Sequence, residues 1–223
     1  MELSFDSRTG LLPAVAQDRL TGQVRMVAYM NREAVERTLS TGNATFFSRE
    51  RQALWTKGET SGHFLRVTAV YCDCDADTLL LLVDPEGPSC HTGRPSCFFR
   101  RLDERAGVVD EAVEARPFLH TLESIIETRA QSTAERSYTR SLLDGGAGKI
   151  GEKIREEADE LARAIAGESD DRVVSEAADL LFHAMVGLRA RGLDLRLVLR
   201  AMAERMGVSG HVEKASRKPA KAE

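Results

Sequence analysis

Apolar positions repeat in two different ways along this chain, and the change comes near position 100. Before it, apolar residues fall in short runs separated by turn formers, the pattern of brief strands. Strands are expected at 45–47, 63–71, 78–83 and 97–100, with a mixed apolar segment at 23–30. Asn31 follows that segment, and its side chain suits the free N–H groups of a helix's first turn. Glu33 and Glu36 come next, so a short helix is predicted to about Ser40, stopped near Gly42. Asp84-Pro85-Glu86-Gly87 predicts a turn, because proline presets φ and glycine accepts a positive one.

Beyond Pro117 the period becomes helical. Leu119, Leu122, Ile125 and Ile126 share one face, and further helices fit 148–166, 170–191 and 194–205. Along 170–191, Val173, Ala177, Leu181, Ala184 and Leu188 form an apolar stripe, with Glu176, Asp179 and His183 on one border. The stretch 103–116 is charged, contains Gly107 and ends before a proline, so it reads as a linker. The expected organisation is an α+β, strand-rich domain over 1–110 and an all-α domain over 111–223. Helices would fill about 117–209, and a basic tail carrying Lys214, Arg217, Lys218 and Lys221 would follow as a solvated end.

Composition narrows the function classes. Of 223 residues, 42% are hydrophobic and 30% charged, as in an ordinary soluble globular protein. A net charge of -4 argues against a nucleic-acid partner. The longest aliphatic run, 79–83, is too short for a bilayer, and the N-terminus has no apolar core, so a cytoplasmic location and no membrane partner are expected. In that compartment cysteines serve as ligands or catalysts more often than as disulfides.

The densest chemistry is Tyr71-Cys72-Asp73-Cys74-Asp75-Ala76-Asp77, followed by Cys90-His91-Thr92-Gly93-Arg94 and Cys97. Cys74, Cys90 and Cys97 form no C-x-x-C pair. Thiols from all three, plus a water, would make a catalytic rather than a structural zinc site. Unrelated buried cysteines are the plainer alternative, but turns, charges and a histidine surround these. Asp73, Asp75 and Asp77 would project from one face of a strand and suit Mg2+. A regular strand would then point Cys74 away from them, so either two metals lie on opposite sides or the backbone is irregular. An EF-hand fails, because Thr78 stands where glycine is needed and Asp84 where glutamate is needed.

In the second half, Glu156 and Glu157 share a helical face with Glu160. Carboxylates so placed repel unless a cation lies between them; a solvated face is the alternative. Glu176 and Asp179 on the next helix would complete a divalent-cation pocket.

These motifs carry two family resemblances. Leu54-Trp55-Thr56-Lys57-Gly58-Glu59-Thr60-Ser61-Gly62-His63, Asp73-Cys74-Asp75-Ala76-Asp77, Cys90-His91-Thr92-Gly93-Arg94 and Ser96-Cys97-Phe98 resemble phosphoribosyl-AMP cyclohydrolase over about 22–101. The resemblance implies zinc at Cys74, Cys90 and Cys97, magnesium at Asp73, Asp75 and Asp77, and a homodimer whose zinc site draws on both subunits. It implies hydrolysis of the N1–C6 bond of phosphoribosyl-AMP, with His63 or His91 moving the proton. Lys57 and Arg94 would contact phosphate, and Trp55, Thr56 and Ser61 would bind substrate. Glu156-Glu157-Ala158-Asp159-Glu160, Glu176-Ala177-Ala178-Asp179, Ser137-Tyr138-Thr139 and Lys153 resemble phosphoribosyl-ATP pyrophosphohydrolase, a MazG-like all-α family, over about 119–205. Arg155 departs from the small residue expected beside the acidic motif. This second resemblance implies magnesium at Glu156, Glu157, Glu160, Glu176 and Asp179, and phosphate contacts from Lys153, Arg136 and Arg140. Phosphoribosyl-ATP and phosphoribosyl-AMP would be consecutive substrates. The rivals are a general nucleotide pyrophosphatase with a degenerate zinc domain, and a metal-stabilised scaffold.

Overall fold

The computed structural model describes residues 2–110, 115–131 and 137–206. The chain divides into two units by its internal contacts, Met1–Pro117 and Phe118–Glu223.

The first unit is built on β1 (Leu12–Asp18), β2 (Val24–Met30), α1 (Arg32–Thr41), β3 (Thr45–Ser48), β4 (Ala53–Thr56), β5 (Leu65–Cys72) and β6 (Leu79–Pro85). They make a six-stranded sheet in the order β4-β3-β2-β1-β6-β5, antiparallel throughout except for the parallel pair β1 and β6. Along β1, buried and half-buried side chains alternate, as a strand with one core face requires. Leu12, Ala14 and Ala16 of β1 pack with Met30, Phe46, Leu65, Leu79, Leu81 and Val83, and Ala34 and Val35 of α1 join them. Asn31 caps α1 as expected, accepting from the Ala34 N–H at 2.8 Å, and Gly42 ends it in the left-handed region at φ 68°.

The segment expected as linker holds structure of its own. A hairpin of β7 (Arg100–Leu102) and β8 (Val108–Asp110) turns on Asp103, whose Oδ1 accepts from the Arg105 and Gly107 N–H groups at 2.9 and 2.7 Å. Charge and glycine mark a tight turn as readily as a linker. Farther on, Ala115 donates its N–H to Phe98 O at 2.9 Å and accepts from Gln23 Nε2 at 3.0 Å, which ties it to the first unit. The strand expected at 97–100 is confined to Arg100, because the Cys97 N–H is spent on Arg25 O at 2.9 Å.

The second unit contains α2 (Phe118–Gln131), α3 (Tyr138–Asp144), α4 (Gly146–Gly167), α5 (Asp170–Ala190) and α6 (Leu195–Arg205). Ile126, Leu142, Ile150, Met185, Val186 and Leu195 form its core. The sequence pattern did not reveal α3, whose seven residues are too few to display a period. On α5 the expected facing is corrected. Glu176 and His183 are buried, whereas Ala177 and Leu181 of the apolar stripe are exposed, Leu181 to 43%. Burial of those polar groups is tolerable because each meets a partner, described next.

Candidate active sites

In the first unit the site lies where β6 ends and the 86–97 loop begins. Gly58 adopts φ +98°, and a Cβ there would stand 2.6 Å from the Phe64 N, so only glycine lets the two backbone stretches pass so closely. The crossing brings Lys57 Nζ to 3.1 Å from His63 O. Gly87, also at positive φ, leaves room for the His63 ring, which a Cβ would strike; Nδ1 of that ring lies 3.2 Å from Glu86 O.

Cys90, Cys97, Lys57, His63 and His91 all border one cavity of about 580 Å3, with Trp55, Thr56 and Ser61 on its wall. Thr92 Oγ1 donates to Cys90 Sγ at 3.1 Å. Burial opposes ionisation of Cys90, but hydrogen bonds from Thr92, Cys97 and the His91 backbone outweigh it, so its pKa lies below the ordinary thiol value. Cys97 is exposed as a residue, yet its thiol is crowded on the cavity side. Desolvation first, and the Cys90 charge second, push it up to about 11. The two sulfurs thus shift in opposite directions, with Cys97 donating toward Cys90. Desolvation lowers the Lys57 pKa, against the opposing pull of the neighbouring cysteines.

Arg25 holds this loop, and no sequence signal singled it out. Its buried guanidinium donates to Ser89 Oγ at 3.1 Å, Gly87 O at 3.2 Å and Gln23 Oε1 at 3.1 Å, and lies 3.9 Å from buried Asp18. Arg94, expected at phosphate, stacks over the Phe99 ring at 4.4 Å and does not border the cavity.

Cys74 and the aspartates lie elsewhere. Residues 73–77 are the turn between β5 and β6, not a strand, so the backbone is irregular there; Ala76 has φ 62°. The register pairs Cys72 with Leu79 at that end and Leu65 with Pro85 at the other, where the cavity begins. The length of β5 separates them, roughly 25 Å for eight extended residues. Carboxylate oxygens of Asp73, Asp75 and Asp77 all fall within 4.8 Å of one another. Asp73 Oδ1 also accepts from the Asp77 and Thr78 N–H groups at 3.0 and 3.1 Å. The donor set, three carboxylates on a tight exposed turn, fits a hard cation, and the thiol pair fits a soft one.

In the second unit α4 and α5 bring oxygens of Glu157, Glu176 and Asp179 within 4.8 Å of one another. Glu160 lies close enough to Glu176 to help push its pKa up. Glu156 is more remote and half-exposed, paired with Lys153 Nζ at 2.8 Å; the same amine lies 3.0 Å from Glu157. Buried His183 orders the floor: Nδ1 faces Asp179 O at 2.8 Å, so it carries the proton, and Nε2 accepts from Tyr138 O–H at 2.8 Å. Burial raises the Glu176 pKa against the pull of Arg172. Arg140 is engaged away from this set, with Asp144 Oδ1 at 2.9 Å and Ala130 O at 3.2 Å. Arg136 and the basic tail lie outside the described residues. The site admits a divalent cation, since clustered carboxylates that repel one another gain from it.

A thiol-lined cavity on a sheet in one unit and paired acidic helices in the other suit the class of metal-dependent hydrolases, with a candidate site in each unit. The model of the phosphoribosyl-AMP cyclohydrolase family matches residues 26–99, and that of phosphoribosyl-ATP pyrophosphohydrolase matches 119–206. The histidine biosynthesis bifunctional protein HisIE of Wolinella succinogenes is 44% identical over 213 residues, covering 93% of each chain. The namesake from Shewanella oneidensis is 45% identical over 194 residues, covering 87% of this chain and 86% of its own. That of Escherichia coli K12 is 41% identical over 204, covering 92% and 95%. The chain belongs to the HisIE family of bifunctional histidine-biosynthesis hydrolases. Among the described residues, no helix is long and apolar enough to cross a membrane.

Proposed function

We propose that the helical unit hydrolyses phosphoribosyl-ATP to phosphoribosyl-AMP and pyrophosphate, and that the strand-rich unit then opens the adenine ring of that product between N1 and C6. The observation that carries the reading is the single cavity bordered by Cys90, Cys97, Lys57, His63 and His91, in a chain whose helices separately gather Glu157, Glu176 and Asp179.

In the cyclohydrolase unit, Cys90 and Cys97 would hold zinc together with Cys74 of the partner subunit. One chain's β5 keeps its own Cys74 too far from the pair, which supports a homodimeric site. Zinc, when bound, supplies an acidified water at neutral pH. His63 and His91 stand at the cavity wall, where either is able to take or return the proton moved as the N1–C6 bond breaks. Trp55, Thr56 and Ser61 would line the bound nucleotide, and Lys57 would meet its phosphate. Arg94 would do so only after leaving Phe99. Asp73, Asp75 and Asp77 would hold Mg2+ at the exposed turn.

In the pyrophosphohydrolase unit, Glu157, Glu160, Glu176 and Asp179 would hold Mg2+, with Glu156 joining through a turn of its side chain. Magnesium supplies charge neutralisation for the triphosphate and an activated water. Lys153 would carry phosphate, with Arg140 and Arg136 as outer contacts. A cytoplasmic enzyme suits the four cysteines, which are all free thiols.

The test is incubation with phosphoribosyl-ATP and Mg2+, following pyrophosphate and the ring-opened product together. Pyrophosphate should appear first and the opened ring second, with ordinary nucleoside triphosphates left largely intact. Equal cleavage of ordinary triphosphates without ring opening would overturn the reading.

A further inference from the structure

The acidic helices carry a cation of their own. Arg172 sits in the first turn of α5, four residues before Glu176, and its Nη1 lies 2.6 Å from Glu176 Oε1. The same guanidinium reaches Glu168 Oε2 at 3.3 Å and approaches Glu160 Oε2 at 4.0 Å. Its side chain is 52% exposed, whereas that of Glu176 is 3% exposed. One buried carboxylate of the metal set is thus paired with a side chain that water can receive without disturbing either helix.

We propose that Arg172 is a tethered counter-ion that competes with the divalent cation for Glu176 and thereby sets how tightly the helical site holds metal. The inference rests on the divalent-cation reading of that site. The arginine contact and metal binding are thermodynamically linked. A short charge-assisted bond to Glu176 Oε1 occupies a lone pair that a divalent cation also needs, so metal binding must break or reshape it. While the contact lasts, it offsets the mutual repulsion of Glu157, Glu160, Glu176 and Asp179, which otherwise favours their separation. Breaking it costs little in structure, because the tether is one arginine side chain and its alternative partner, Glu168, lies outside the Glu157, Glu176 and Asp179 set. Weak binding would follow: the site gives up metal readily and keeps its fold when metal is scarce.

The experiment is a Mn2+ titration of the full chain, read by electron paramagnetic resonance of the free ion. Glu157→Gln is run in parallel to subtract Mn2+ held elsewhere. Arg172→Gln should bind Mn2+ at the Glu157-dependent site about fivefold to tenfold more tightly than the parent, in the range of one charge-assisted contact. Arg172→Lys should stay within about twofold of the parent, since it keeps the charge. In chelator the Gln variant should melt below the parent, and its gain in melting temperature on adding Mn2+ should be larger. Unchanged or weaker Mn2+ affinity in Arg172→Gln, with the parent site intact, would overturn this inference alone. A parent chain with no Glu157-dependent Mn2+ binding would remove the divalent-cation reading and this inference with it.

Discussion

Single side chains here do work that depends on which partner they meet. Cys90 is the clearest case, since Thr92 and Cys97 both donate toward its sulfur and favour the thiolate. Cys90→Ser should therefore reduce bound zinc to below about a tenth of the parent, since a neutral hydroxyl is a far poorer ligand than a thiolate. Ring opening should be lost and pyrophosphate release kept. Metal analysis and the two product assays check this, and full zinc occupancy in the mutant would refute the thiol assignment. Glu157 lies between Lys153 and His183, 3.0 Å from the amine and 3.7 Å from the ring. Glu157→Gln preserves its volume while removing a charge from the metal set. Pyrophosphate release should fall by about a hundredfold or more, comparable to losing one strong transition-state contact, while supplied phosphoribosyl-AMP is still opened. A mutant that released pyrophosphate at the parent rate would remove Glu157 from the catalytic metal set. The acidic turn shows where local reading stops: alternating aspartates resemble a strand face, but Ala76 at φ 62° folds them into a loop.

Between elements, polar side chains perform the joining. Glu123 of α2 accepts the Leu195 N–H at 2.7 Å, so it caps α6, beside Asp194, which accepts from Arg196 N–H at 2.6 Å. The His120, Glu123 and Asp194 group thus has its carboxylates committed to a helix end. The Tyr138 hydroxyl joins α3 to α5 through His183, and its ring stacks on Phe182 with centroids 6.4 Å apart. Tyr138→Phe keeps the stack and strands a buried imidazole nitrogen. It should cost about 1–3 kcal/mol, the usual penalty for a buried group left without its partner. For a unit of this size that is a fall of roughly 5 °C or more in melting temperature. Calorimetry should show the loss in the helical unit's transition only; an unchanged transition would mean that the hydroxyl contributes nothing there. None of these joins was legible in the chain pattern, because a glutamate on an amphipathic helix looks the same whether it faces water or caps a neighbour.

At the scale of the molecule, two cores with no residue in common hold two kinds of donor set. Ala115 is anchored to Phe98 and Gln23, so a cut after Pro117 spares those bonds. Residues 1–117 and 118–223, expressed separately, should each fold and each keep one activity, since each is large enough to bury a core. Zinc content and ring opening of the first piece should fall on dilution, as a site shared between two copies requires. Sedimentation, zinc analysis and the separate assays check this. Recovery of an inactive folded piece on mixing with the other would mean that the sites are shared between the units.

By itself the sequence determined much of what depends on short-range order. Two periods gave the strand-rich and helical halves, Asn31 and Gly42 bounded α1, and the motif spacings named the families. Those signals are local, since a cap or a period is completed within a few residues. Only the tertiary structure decided the long-range facts. It paired β1 with β6 in parallel, buried Arg25 beneath a loop more than sixty residues away, and set Cys90 and Cys97 apart from Cys74. It also turned Glu176 inward against Arg172 and left the apolar Leu181 exposed. Each of these rests on which distant group supplies a charge or a hydrogen bond, and the energy of burying a polar side chain is fixed by that partner, not by its neighbours in the chain.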